Sequence, residues 1–128
     1  MDCRLVGKGL EAPIASAAVP PPVGRLVADV PIWNYAWSMP LGPSPAGRVV
    51  TVAIECDVDK GSVGFVLWRE HDNFFVSREV IVDARSGSQR LYLSSAAYDA
   101  GVKLLARNGS ARGASEWRIG SIEIRQTL

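Results

Sequence analysis

Apolar residues recur at every second position along most of this chain, and residues 48–68 show it most clearly. In RVVTVAIECDVDKGSVGFVLW, Val50, Val52, Ile54, Cys56 and Val58 alternate with Thr51, Glu55 and Asp57. That is the period at which a strand sends one set of side chains to a core. Asp59-Lys60-Gly61 supplies a turn, and Val63, Phe65 and Leu67 resume the alternation. The stretch is therefore read as a central hairpin of two long strands.

Shorter stretches repeat the pattern on either side. Residues 24–30 predict a first strand, with Leu26, Ala28 and Val30 of one parity, and Pro31 marks its end. In Ile32-Trp33-Asn34-Tyr35-Ala36-Trp37 the aromatics lie two apart, so an extended chain would line them on one face. Residues 39–47 hold Pro40, Pro43, Pro45, Gly42 and Gly47 and read as a loop. After a polar connection at 69–73, residues 74–82 predict a strand with Phe74, Val76, Val80 and Val82 of one parity and Arg78 among them; either parity could face the core. A turn at 83–88 leads to a strand at 89–93, and Ser95 is placed to cap a short helical turn within 94–101. Val102, Leu104 and Ala106 form a further strand ended by Asn108-Gly109. In the last strand, 116–125, Trp117 and Ile119 hold one parity and Ile122 and Ile124 the other, the slip a β-bulge at Gly120-Ser121 produces. The expected architecture is all-β: an antiparallel β-sandwich or jelly roll of about eight strands with little helix.

Length and composition narrow the function more than they define it. A chain of 128 residues fits one domain. Residues 1–23, rich in Ala and Pro, are expected to be a flexible or extended arm, and 24–128 the sandwich. Lys and Arg number 14 against 13 Asp and Glu, so no net field favours nucleic acid or an anionic membrane. Cys3 and Cys56 form neither a disulfide framework nor a metal spacing, and Cys56 reads as a buried thiol. No segment has the apolar length of a signal peptide or membrane span, so the chain as written is expected to be soluble and cytoplasmic.

The order VTVAIECDVDKGSVGFVLW, FFVSREVIV, RLYL, VKLLARNGS and EWRIGSIEIR resembles the galactose-binding-like jelly rolls found as carbohydrate-binding modules. Similar domains occur as accessory pieces of methyltransferases and glycosyltransferases. The resemblance spans about residues 24–125 and rests on strand rhythm and turns, so it implies binding by analogy.

Candidate chemistry is sparse. His71 is the lone histidine, in a polar loop without a nucleophile motif, so no enzyme activity is expected. Glu70, Asp72 and Asn73 could offer oxygens to a structural calcium ion, but three on one turn are commonplace, and no cofactor is expected. Asn108-Gly109-Ser110 matches a glycosylation pattern that a turn role explains better. Sugars present flat C–H faces and rings of hydroxyls, which call for exposed aromatics and planar polar groups. Trp33, Tyr35 and Trp37 could form a platform; Trp68, Arg78 and Tyr92 could lie outward on neighbouring strands; Arg107 and Asn108 complete the set of ligand-binding candidates. Each also has a structural reading. The 33–37 run could pack under the Pro-rich loop, Trp68 could be core or surface, Trp117 could plug the core, and Arg107 and Asn108 could hold their turn. The expected function is glycan binding, with an accessory domain that packs on a protein partner or on itself as the alternative.

Overall fold

The computed structural model describes residues 14–41, 49–85, 87–96 and 102–127. Ten strands follow in chain order: β1 (Ile14–Val19), β2 (Leu26–Ala28), β3 (Tyr35–Pro40), β4 (Val50–Lys60), β5 (Ser62–Arg69), β6 (Phe74–Phe75), β7 (Val80–Asp83), β8 (Gln89–Ser95), β9 (Val102–Asn108) and β10 (Ser115–Thr127). A 3-10 turn, Glu70–Asp72, is the one helical element among the described residues. The expected helical turn near Ser95 runs into residues 97–101, outside the described ones.

Two antiparallel sheets face each other. The first has the order β1-β10-β4-β8, with β2 also on β10; the second has the order β3-β9-β5-β6, with β7 also on β5. The alternating residues meet between them. Val52, Ile54, Cys56 and Val58 of β4 and Leu91 and Leu93 of β8 oppose Val63, Phe65 and Leu67 of β5 and Leu104 and Ala106 of β9 in one buried cluster. Trp117 is fully buried there, its ring edge-on to Phe65 at 6.4 Å. The fold is the jelly-roll-like β-sandwich expected.

The central hairpin requires correction. β4 pairs with β10 and β8, whereas β5 pairs with β9, β6 and β7, so the two strands lie in opposite sheets. Gly61 is a corner between sheets. Its φ of 76° suits glycine, and a Cβ there would come 2.3 Å from Ser115 Oγ. The physical reason is burial: a hairpin would put both apolar rows on one face of one sheet, whereas the crossing sets them face to face.

Other elements refine the sequence reading. The segment expected as an arm includes β1, which lies along β10 from Ile14 opposite Thr127 to Val19 opposite Ile122. The 74–82 strand is two pieces on β5, and between them Val76 N still donates to Leu67 O at 2.9 Å and Ser77 Oγ accepts from Leu67 N at 2.9 Å. Val76, Val80 and Val82 face the core. The β10 register shifts between Ile119 and Ser121, the bulge read from the parity slip.

Candidate functional site

The outer face of the second sheet carries a small core of its own. Val66 and Leu105 are buried there with Trp68, and Phe75 packs against them. Alternation explains the placement: Val63, Phe65 and Leu67 point inward, so Gly64, Val66 and Trp68 point outward. Trp68 is thus mostly buried, at 8% exposed, but on the outside of the sheet.

A chain of rings and one guanidinium covers this patch. Tyr35 meets Trp68 edge-on at 5.2 Å and lies 6.2 Å from Phe75. The Arg107 guanidinium sits 5.1 Å from the Phe75 ring centroid and 5.3 Å from that of Trp33. Two parallel bonds fix Arg107 to Glu79, from Nε to Oε2 at 2.7 Å and from Nη2 to Oε1 at 2.6 Å. Its Nη1 donates to the Trp33 carbonyl at 3.3 Å. The bond to Glu79 raises the Arg107 pKa, so the guanidinium keeps its charge. Glu79 has room because β5 offers Gly64 beneath it; a Cβ on Gly64 would stand 2.5 Å from Glu79 Oε2.

Two backbone positions hold the patch open. Trp33 has φ 65° and Asn73 φ 51°, the two non-glycine residues with positive φ among the described ones. Asparagine tolerates this region; for tryptophan it is an outlier costing about 1–3 kcal/mol. Trp33 N donates to Asn108 O at 2.6 Å, and Asn108 N donates to Asn34 O at 3.2 Å, tying the turn to the end of β9. Asn73 Oδ1 accepts from Tyr35 OH at 2.7 Å and from Trp68 Nε1 at 2.8 Å. Trp33 and Tyr35 remain 41% and 40% exposed.

The structure divides the eight candidates. Trp33, Tyr35, Trp68 and Arg107 converge on this patch. Trp37 does not, because a register shift between Tyr35 and Trp37 sets Tyr35 opposite Arg107 and Trp37 opposite Ala106. The bulge turns Trp37 to the core, so the three aromatics do not line one face. Arg78 and Tyr92 lie together elsewhere, in a groove described below. Trp68 is not their neighbour across a sheet, since β5 and β8 belong to different sheets. Asn108 is fully buried: Nδ2 donates to Val30 O at 2.7 Å and to Gly113 O at 3.3 Å, and Oδ1 accepts from Ser110 N and Ser115 Oγ. Its role is to hold the turn, and its amide has nothing left for a ligand.

Asn73, Phe75 and Glu79 belong to the patch and were not among the candidates. Glu79 had a signal in the broken parity around Arg78; Phe75 had none, since its place opposite Trp68 comes from the strand pairing. At the rim, Glu70 pairs with Lys103 at 2.7 Å, and Asp72 accepts from Arg69 Nε and Nη2. Those bonds hold the Asp72 carboxyl below its usual pKa. The three oxygen donors considered for calcium thus each have protein partners. Among the described residues no group of three His, Cys, Asp or Glu side chains gathers, and no helix is long and apolar enough to cross a membrane.

No family model and no curated protein matches the chain. Solved structures do. One described as "CBM4 structure and function" is 10% identical with a TM-score of 0.59, over 80% of this chain and 83% of that one. Another, "EclA C-terminal domain; sugar-binding protein", is 15% identical with a TM-score of 0.49, over 96% and 83%. A third, "Bacillus endospore appendages form a novel family of disulfide-linked pili", is 14% identical with a TM-score of 0.44, over 100% and 97%. At these identities the likeness is one of fold, and the first comparison carries it: the chain has a β-sandwich fold similar to that of the CBM4 structure.

Proposed function

We propose that this domain is a non-catalytic glycan-binding module whose contact surface is the outer face of the second sheet around Trp33 and Tyr35. The observation that carries the reading is the left-handed backbone at Trp33. An exposed tryptophan is held in an unfavourable conformation by Arg107 and the end of β9, a cost that a purely structural surface residue has no need to bear. Its ring and that of Tyr35 offer flat faces for the C–H side of a sugar, immobilised before any ligand arrives. Lys103 and Glu70 at the rim supply polar groups for hydroxyls. The likeness in fold to the CBM4 structure supports the reading.

The test is a glycan array probed with the folded protein and with Trp33→Ala and Tyr35→Ala. Each substitution should weaken glycan binding by about tenfold or more, about 1.4 kcal/mol, with the circular dichroism unchanged. A folded wild type that retains no glycan overturns the proposal. A second reading, packing against a protein partner or a second copy, draws on Ile81, 43% exposed on the same sheet face and without polar atoms to offer a sugar. Light scattering that shows a dimer lost on Ile81→Lys, together with a blank array, would select it.

A further inference from the structure

A second recessed site lies where β8, the free edge of the first sheet, meets the segment leading into β7 on the second. The groove there measures about 330 Å³ and is lined by Arg78, Val80, Tyr92, Leu93 and Ser94. That volume is at the small end for sites that hold small molecules. Val80 and Leu93 belong to the apolar interior and give the groove an apolar floor. Tyr92 is 48% exposed at its wall. Ser94 Oγ lies 3.0 Å from Thr51 Oγ1.

Arg78 sets this groove apart. The guanidinium groups of Arg25, Arg69, Arg90, Arg107 and Arg125 each pair with a carboxylate, whereas those of Arg78, Arg85, Arg112 and Arg118 pair with no described residue, and of these four Arg78 alone lines the groove. Arg78 is exposed, and its side chain bonds no described residue. No Asp or Glu lines the groove. Two further cations adjoin Tyr92 and each is paired with a carboxylate: Arg90, in side-chain hydrogen-bonding contact with Tyr92, with Glu55, and Arg125, 5.9 Å from the Tyr92 ring centroid, with Glu123. The groove therefore combines one planar cation with no carboxylate partner among the described residues, one aromatic ring, one hydroxyl and an apolar floor.

We propose that this groove binds the carboxylate of an acidic sugar unit, a hexuronate. A guanidinium fork matches a carboxylate with two parallel bonds. A phosphate would call for further donors, and no other basic side chain lines the groove to supply them. The flat C–H face of a pyranose ring lies against Tyr92, and a ring hydroxyl reaches Ser94. The site is separate from the Trp33 and Tyr35 platform; the carboxylate assignment stands on Arg78 alone, and the choice of a sugar ring rests on the glycan-binding reading.

The experiment is an NMR titration of the ¹⁵N-labelled protein with glucuronate, its methyl ester, glucose and acetate, repeated on Arg78→Gln and Arg78→Lys. Glucuronate should shift the backbone amides of Arg78, Tyr92 and Ser94 and saturate. The ester and glucose, lacking the charge, and acetate, lacking the ring, should each bind at least about tenfold more weakly. Arg78→Gln should abolish the glucuronate shifts, and Arg78→Lys should retain a weakened response. The proposal is overturned if glucuronate leaves these amides unmoved, if ester or acetate matches it, or if Arg78→Gln binds as well as the wild type. Failure of the platform reading has a different signature: neutral glycans fail to register on the array while the glucuronate shifts at the groove stay intact.

Discussion

Cys56 sits fully inside the core row of β4, and burial together with the neighbouring Asp57 pushes its thiol from an ordinary 9.0 up to about 11. The thiolate is the reactive form, so iodoacetamide at pH 8 should leave the native Cys56 unmodified and alkylate it once denaturant is added. The sign of the linkage follows. The folded state holds its proton more tightly than the unfolded one, so this contribution to stability is intact below about pH 9 and is lost as pH rises toward 11. Denaturation midpoints should fall more steeply across that window in the wild type than in Cys56→Ala; equal slopes would contradict the assignment. Ile54 and Phe65 come from opposite sheets, belong to one buried cluster and are both fully buried. Truncating either to Ala should cost about 2–5 kcal/mol in urea unfolding through the cavity left behind. Such residues were legible in the sequence because alternation alone identifies an inward row. Asn108 was less so: Asn-Gly-Ser signals a turn, but that its amide is buried depends on Val30, 78 residues away, as well as on Gly113 and Ser115 just beyond the turn.

At the scale of the element, Gly64 joins β5 to the outer aromatic patch. Its missing side chain makes the space that the Glu79 carboxylate occupies beside Arg107. Gly64→Ala should therefore displace Glu79, release the Trp33 carbonyl from Arg107, and cost about 1–3 kcal/mol by overpacking. Equilibrium unfolding gives the cost, and tryptophan fluorescence should report a changed Trp33 environment. A fluorescence spectrum and stability like the wild type would show that the pair does not depend on this gap. The strands themselves were readable, including the β10 bulge, which announces itself as a parity slip between Ile119 and Ile122. The β3 bulge was not. Ala36 leaves no mark in a run of aromatics two residues apart, and only the pairing of Tyr35 with Arg107 and of Trp37 with Ala106 shows that the run splits between the two faces. The β4–β5 pair failed for a related reason: two alternating strands with a glycine between them look alike whether they pair with each other or cross between sheets.

For the whole molecule, both sheets contribute to one buried cluster, so neither has a core to keep when the other is lost. Chemical unfolding followed by far-ultraviolet circular dichroism, which sees all strands, should coincide with the transition followed by tryptophan fluorescence, which sees Trp117 in the core and Trp33 and Trp68 on the outer patch. Separated midpoints would show that the outer patch melts independently. The sequence by itself determined the all-β class, the inward residues of most strands, and the burial of Cys56 and Trp117. These are local properties, fixed by a two-residue period and by turn-forming residues. Only the tertiary structure decided which strands pair, that Trp33, Tyr35, Trp68 and Arg107 meet while Trp37 turns inward, and that Arg78 and Tyr92 share a separate groove. A strand's period states that it has two faces; what lies across each face is set by partners dozens of residues distant, and the candidate sites are made of those partners.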